Sequence, residues 1–197
     1  GGPRGGLIVA PFDTELLGHG WFEGVDFVGS LSRGLRHRRG VRPALAGEHL
    51  TRRPSRSSLR LAAGSWGANG DDSMWLNPGT AAMWRRLWPL EDAFWNAARG
   101  ALAVPAAHPV LAQAARELLL AQASDWEFIV STGAAGDYAE RRFGEHCDAA
   151  ERLVSALQPG VDGDRLAAAS RLAEDLARRD HPFPDVLAVV ARVADGR

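Results

Sequence analysis

The chain has 197 residues, 46% hydrophobic and 24% charged, with a formal net charge of −1. That balance supports one good core or two small ones and excludes a largely disordered chain, a collagen-like repeat and a disulfide scaffold. It provides no global field toward nucleic acid or an anionic membrane, and no run approaches the roughly 18 consecutive apolar residues of a membrane span. All 23 basic residues are arginine. A chain without lysine forms no lysine Schiff base, which excludes aldolase and pyridoxal-phosphate anchoring chemistry. Seven tryptophans stand against one tyrosine. Such an excess marks either core packing or a stacking surface, for example for sugar rings.

The first six residues, Gly-Gly-Pro-Arg-Gly-Gly, carry no initiator Met and no signal-peptide pattern. A strand-like run follows at once, so the expectation is a C-terminal piece of a longer protein. Gly6 to Phe12 is short and apolar and is closed by Pro11, as in a buried strand of a parallel sheet. Asp13 to Gly20 is a polar loop. Trp21 to His37 repeats Trp21, Phe22, Val25, Val28, Leu31 and Leu35 at threes and fours, which predicts a helix. Gly34 to Gly64 is irregular and carries an arginine cluster from Arg36 to Arg60 without interleaved aromatics. It reads as a solvated loop rather than a single-strand nucleic-acid surface.

Gly64 to Asn77 is a polar loop that holds Trp66 and Trp75. Helices are predicted at Thr80–Arg99, with a kink or break at Pro89, and then at Pro109–Ala123, Gly136–Leu157, Asp164–Arg179 and Pro184–Ala194. The row Phe143, Cys147, Ala150, Val154 and Leu157 steps by four and three, the face of a bundle helix. Cys147, with no partner for a disulfide or a metal, belongs to that core row. The predicted fold is mainly α: one β/α unit, a Trp-bearing segment, and a helical module.

Three segments hold candidate chemistry. In Asp13-Thr14-Glu15-Leu16-Leu17-Gly18-His19-Gly20-Trp21, two carboxylates and an imidazole follow the strand directly. In β/α barrels that end of a strand lines the active site, where apolar walls keep a carboxyl protonated for general-acid work. The competing reading makes Asp13 a turn cap and His19 a backbone partner. In the second segment, Trp66 and Trp75 either stack on pyranose rings, with Asp71 or Asp72 bonding hydroxyls, or plug a junction between modules. In the third, Ser124-Asp125-Trp126, Asp125 faces a cleft or caps the next turn. His37, His49, His108, His146 and His181 have no mutual metal-ligand spacing and read as surface or capping residues. The aspartates lack EF-hand spacing, and no phosphate loop, nucleophile elbow or dinucleotide fingerprint occurs. Neither a metal nor a cofactor is expected.

Taken together, these segments resemble the C-terminal part of glycoside hydrolase family 57, specifically its α-glucan branching enzymes. Asp13 through Gly24 resembles the motif around the family's acid/base aspartate. Ser65-Trp66-Gly67 with Gly70-Asp71 and Trp75-Leu76-Asn77-Pro78 resembles the next Trp-bearing motif, and Ala123-Ser124-Asp125-Trp126 with the following helix resembles the C-terminal helical domain. Gly20 stands where branching-type relatives often carry a second aromatic residue. The resemblance implies that residues 1–78 are the last β/α unit of a seven-stranded β/α barrel and that residues 79–197 form a helical C-terminal domain. It implies a retaining reaction on α-glucan, with transfer of an α-1,4 segment to a 6-hydroxyl. Asp13 would be the acid/base, and His19, Trp66, Trp75 and Asp125 would bind substrate. The nucleophilic Glu would lie upstream, in the rest of the barrel, which is the expected partner. Nothing here matches that motif, and Glu15, inside the Asp13 motif, is not a substitute. The charge balance and apolar runs lead to no expectation of a nucleic-acid or membrane partner, and a cytoplasmic location is expected. An amylase or 4-α-glucanotransferase of the family, and a non-catalytic glucan-binding domain, remain as alternatives.

Overall fold

The computed structural model describes residues 6–196. The chain divides into two units, Gly1–Leu61 and Ala62–Arg197.

The first unit contains α1 (Gly24–His37) and α2 (Ala46–Arg52). The expected strand at Gly6–Phe12 is not formed, and no strand occurs among the described residues. A strand needs a neighbour for its alternating N–H and C=O groups. No described strand stands beside this run, and Ile8 is left 91% exposed. Among the described residues, the only ladder element is an isolated bridge between Leu17 and Trp21. There Trp21 N donates to Leu16 O at 2.8 Å and Gly18 N to Trp21 O at 3.2 Å. Gly24 closes the turn because a Cβ there would meet the Leu17 backbone at 3.1 Å. Phe12, Trp21 and Phe27 cluster, with Trp21 and Phe27 ring centroids 4.9 Å apart. The predicted stripe is exposed at Val25, Val28 and Leu31 on α1 and at Phe22 in the turn before it. The segment expected to be irregular contains α2, which is held by an Arg52–Glu48 pair at 3.0 Å with i,i+4 spacing.

The second unit is a helical bundle of α3 (Ala81–Leu102), α4 (His108–Ala121), α5 (Asp125–Thr132), α6 (Tyr138–Ser155), α7 (Gly163–Ala177) and α8 (Val186–Gly196). α4 is the central helix and packs on α3, α6, α7 and α8. Its residues Val110, Leu111, Ala114, Ala115, Leu118 and Ala121 are buried. Alanines on α3, α4 and α6 keep side-chain volume small where the helices meet, so the larger Leu111, Phe94 and Leu153 fill the remaining space. The predicted row is buried from Phe143 on α6 to Leu157 just beyond its end. Burial pushes the Cys147 thiol up to about 12. α3 runs unbroken through Pro89, so the helix is not broken there. Pro89 lies on the exposed side, and Leu87, Leu90 and Phe94 anchor the helix in the core around it. α5 was not separated in the sequence pattern, because Phe128, Ile129, Val130 and Thr132 give it weak intrinsic helix preference. Gly133, at φ 64°, ends it in the left-handed conformation that favours glycine.

His146 is a correction. It is neither a surface nor a capping residue but is fully buried. Its Nδ1 lies 2.7 Å from Glu117 Oε2, and Arg142 Nη2 lies 3.0 Å from its Nε2. Gln113 Nε2 donates to Glu117 Oε1 at 2.8 Å and to Asp180 O at 2.9 Å. A buried carboxylate is tolerable only with this degree of satisfaction. The network crosslinks α4, α6 and the segment after α7. Glu127 is also buried, at the start of α5, and burial raises its carboxyl above the ordinary value of 4.5.

Removing Glu117 strands its partners in the core. Glu117→Ala is expected to cost roughly 3–5 kcal/mol in urea unfolding; a loss under about 1 kcal/mol would show that the network carries no stability. For Glu127 the sign is opposite. Its raised folded-state pKa means that ionisation disfavours the native state as pH rises above 4.5. Glu127→Gln should therefore melt higher than the parent at pH 7, and the advantage should disappear as pH falls below 4.5. Melting curves across that range check this.

Candidate functional site

The Trp-bearing loop is built from local hydrogen bonds. Ser65 N donates to Gly70 O at 3.0 Å, and Gly67 N to Ser65 Oγ at 3.0 Å. Asn69 takes φ 66°, a left-handed conformation that Asn tolerates. Asp71 is exposed and its carboxylate has a local bond. Its Oδ1 accepts from Ser73 N at 2.9 Å and caps the 3-10 turn Asp72–Met74. Hydrogen bonding from Ser73 holds that carboxyl below its usual value.

Asn77 ties the loop to α5. Its Nδ2 donates to Ser131 Oγ at 2.8 Å, and Ser131 Oγ donates to Met74 O at 2.7 Å. Trp75 is held at both ends. Its Nε1 donates to Ser124 O at 3.1 Å, while its carbonyl accepts from Thr80 Oγ1 at 2.6 Å and Trp84 Nε1 at 2.7 Å.

These bonds set up an aromatic group. Trp66 meets Trp75 edge to face, with centroids 5.2 Å apart at 79°, and lies 5.1 Å from Phe128 on α5. Trp75 and Phe128 are 6.5 Å apart. Trp66 remains 76% exposed, whereas Trp75 is half-buried. Gly67 is a close approach: a Cβ there would stand 2.8 Å from Trp75 Cζ3. An indole face presented to solvent and fixed from behind can stack on an apolar ring face.

Asp125 is exposed at the first position of α5, one turn before Phe128. Unpaired N–H groups and the helix dipole favour a carboxylate there. The second unit thus brings Trp66 and Trp75 into contact and places Asp125 on the helix that supplies Phe128. Phe128 was missed; its sequence signal is the i+3 spacing from Asp125.

Asp13 and His19 belong to the first unit. Asp13 is exposed, with an extended backbone before the 3-10 turn Thr14–Leu16, and its side chain makes no capping bond. The turn-cap role is instead taken by its carbonyl, which accepts from Leu16 N at 3.1 Å. His19 is exposed in the turn between Gly18 and Gly20.

Among the described residues, Glu117, His146 and Asp180 bring potential metal-ligand atoms within 4.8 Å of one another. Gln113 and Arg142 occupy the remaining polar edges of Glu117 and His146, and Arg179 Nε lies 2.6 Å from Asp180 Oδ2. That chemistry is a hydrogen-bonded crosslink with cationic neighbours, not an open ligand set. No described helix is long and apolar enough to cross a membrane.

A family model described as "1,4-alpha-glucan branching enzyme, C-terminal" matches residues 91–190. A 1,4-alpha-glucan branching enzyme of Thermococcus kodakarensis is 39% identical over 186 residues, covering 92% of this chain and 27% of the relative. A probable 1,4-alpha-glucan branching enzyme of Mycobacterium tuberculosis is 33% identical, covering 89% of this chain and 34% of the relative. Among solved structures, the GH57 branching enzyme from Thermococcus kodakaraensis, crystallised in complex with glucose and additives, superposes with a TM-score of 0.73. It is 37% identical, and the match covers 91% of this chain and 32% of that one. The GH57-type branching enzyme from Pyrococcus horikoshii gives a TM-score of 0.65 at 32% identity, covering 84% and 32% of the two chains. The chain spans about a quarter to a third of the length of these relatives. With half of its residues matched by that family model, the mainly helical chain belongs to the family of C-terminal regions of 1,4-alpha-glucan branching enzymes, in their glycoside hydrolase family 57 form.

Proposed function

We propose that this chain is the C-terminal portion of a retaining enzyme that transfers an α-1,4-glucan segment to a 6-hydroxyl. In this reading residues 1–78 complete a seven-stranded β/α barrel, residues 79–197 form its helical domain, and the enzyme works in the cytoplasm. The observation that carries the reading is the aromatic group of Trp66, Trp75 and Phe128. It presents an exposed indole on a rigid support, on a chain whose relatives are named as branching enzymes.

The chemistry divides between this chain and the upstream barrel. A nucleophilic Glu supplied from upstream attacks the anomeric carbon, while the Asp13 carboxyl gives its proton to the departing glycosidic oxygen. The resulting Asp13 carboxylate then takes the proton from the acceptor's 6-hydroxyl as that oxygen displaces the Glu. Retention requires the two carboxyls to lie about 5–5.5 Å apart. Trp66 and Trp75 hold sugar rings by stacking and exclude water, which favours transfer over hydrolysis. His19 bonds sugar hydroxyls or orients Asp13, and Asp125 reaches the glucan from α5.

The test is branching of amylose by the complete enzyme, read as new chain ends after debranching. Asp13→Asn is expected to lower the rate by on the order of 10²-fold or more. Near-parental activity would remove Asp13 from the mechanism, and products with only α-1,4 links would replace branching with hydrolysis or 4-α-transfer. The 197-residue chain alone is expected to show no turnover.

Gly67→Ala tests the platform separately. The added methyl pushes on Trp75, so the near-ultraviolet tryptophan signal should change and glucan affinity should fall. An unchanged spectrum with unchanged affinity would show that the close approach has no role.

A further inference from the structure

We propose a second carbohydrate contact on α3, centred on Trp88, that binds a stretch of α-1,4-glucan beyond the Trp66–Trp75 platform; it rests on the glucan reading above. Of the seven tryptophans, Trp66 and Trp88 are the two that are exposed, at 76% and 55%. They also share a chemical feature. Trp75, Trp84 and Trp126 each spend their indole N–H on a backbone carbonyl. Neither Trp66 nor Trp88 donates a hydrogen bond from its side chain to any described residue, which leaves both N–H groups available to a ligand hydroxyl.

Trp88 is supported as Trp66 is. Its ring lies 5.6 Å from that of Trp84 at 35°. Trp84 packs against the core and is fixed to the Trp75 carbonyl at 2.7 Å. Trp66 is thus linked to Trp88 through the Trp75 ring, the Trp75 backbone carbonyl and the Trp84 ring.

The surroundings select the occupant. Glu91, one turn beyond Trp88, accepts from Gln122 Nε2 at 3.1 Å. Gln122 lies two residues before Ser124, which holds the Trp75 indole. Arg85 and Asp92 are exposed on the same helix. One indole face among planar polar groups is a poor docking core for a protein, which needs a contiguous apolar centre. It suits a sugar, whose C–H face stacks on the ring while carboxylate and amide edges take the hydroxyls.

The experiment is calorimetric titration of the complete enzyme, carrying Asp13→Asn to block turnover, with maltotriose and with maltoheptaose. Trp88→Ala is expected to weaken maltoheptaose binding several-fold and leave maltotriose unchanged, and Trp88→Phe to restore part of the loss. Trp66→Ala should weaken both ligands. Trp88→Ala with parental affinity for both, while Trp66→Ala is impaired, would overturn the second contact and leave the glucan reading standing. If the parent binds neither ligand, both fail. Because Trp88 is exposed, its replacement leaves the core intact; a melting temperature matching the parent confirms that the variant is folded.

Discussion

Trp75 is bonded through both its side chain and its backbone, and the geometry of the second unit's surface depends on it. Its indole N–H is tied to the Ser124 carbonyl ahead of α5, and its own carbonyl takes donors from Thr80 and Trp84 at the start of α3. One residue of a polar loop therefore links two helices that are far apart in sequence. The loop has no ladder and little regular structure to hold it, so these bonds and the Asn77–Ser131 link take that role. Trp66 can stay open to solvent without being loose because its neighbours are held in this way.

The same logic of satisfied polar groups runs through the bundle. α4 carries Gln113 and Glu117 into the core and finds partners in His146 and in the backbone after α7. An apolar pair would pack there at less desolvation cost. The polar set instead joins α4 to α6 with directional bonds, which fixes their register more sharply than alanine contacts alone.

What was legible in the sequence followed periodicity. The α6 row, the long α3 and the α7 and α8 segments each show helical spacing, and helical spacing survives without knowledge of neighbours. The two tryptophans of the loop also stood out, because indoles in a polar segment need a partner. What was not legible depended on partners far along the chain. Gly6–Phe12 has strand composition, yet composition does not supply the adjacent strand. The α1 stripe has the spacing of a buried face, yet Val25 and Leu31 face solvent. His146 looked isolated because Glu117 lies 29 positions away. Phe128 was hidden in a short, β-branched helix whose existence depends on the tertiary bonds at Ser124 and Ser131. Pro89 marked a break by local rules, and core anchoring of its neighbours overrode it.

The lone thiol has a practical consequence. Cys147 is buried, and its ionisation is pushed up to about 12, so near neutral pH it offers almost no thiolate to an alkylating reagent. Any cysteine placed on the surface becomes the sole reactive one. Two such positions, for instance Ser55→Cys in the first unit and Ala168→Cys on α7, would accept a pair of spin labels or fluorophores without removing a native residue from the core. The chain is thereby ready-made for measuring distances between its units in solution, with and without a bound glucan.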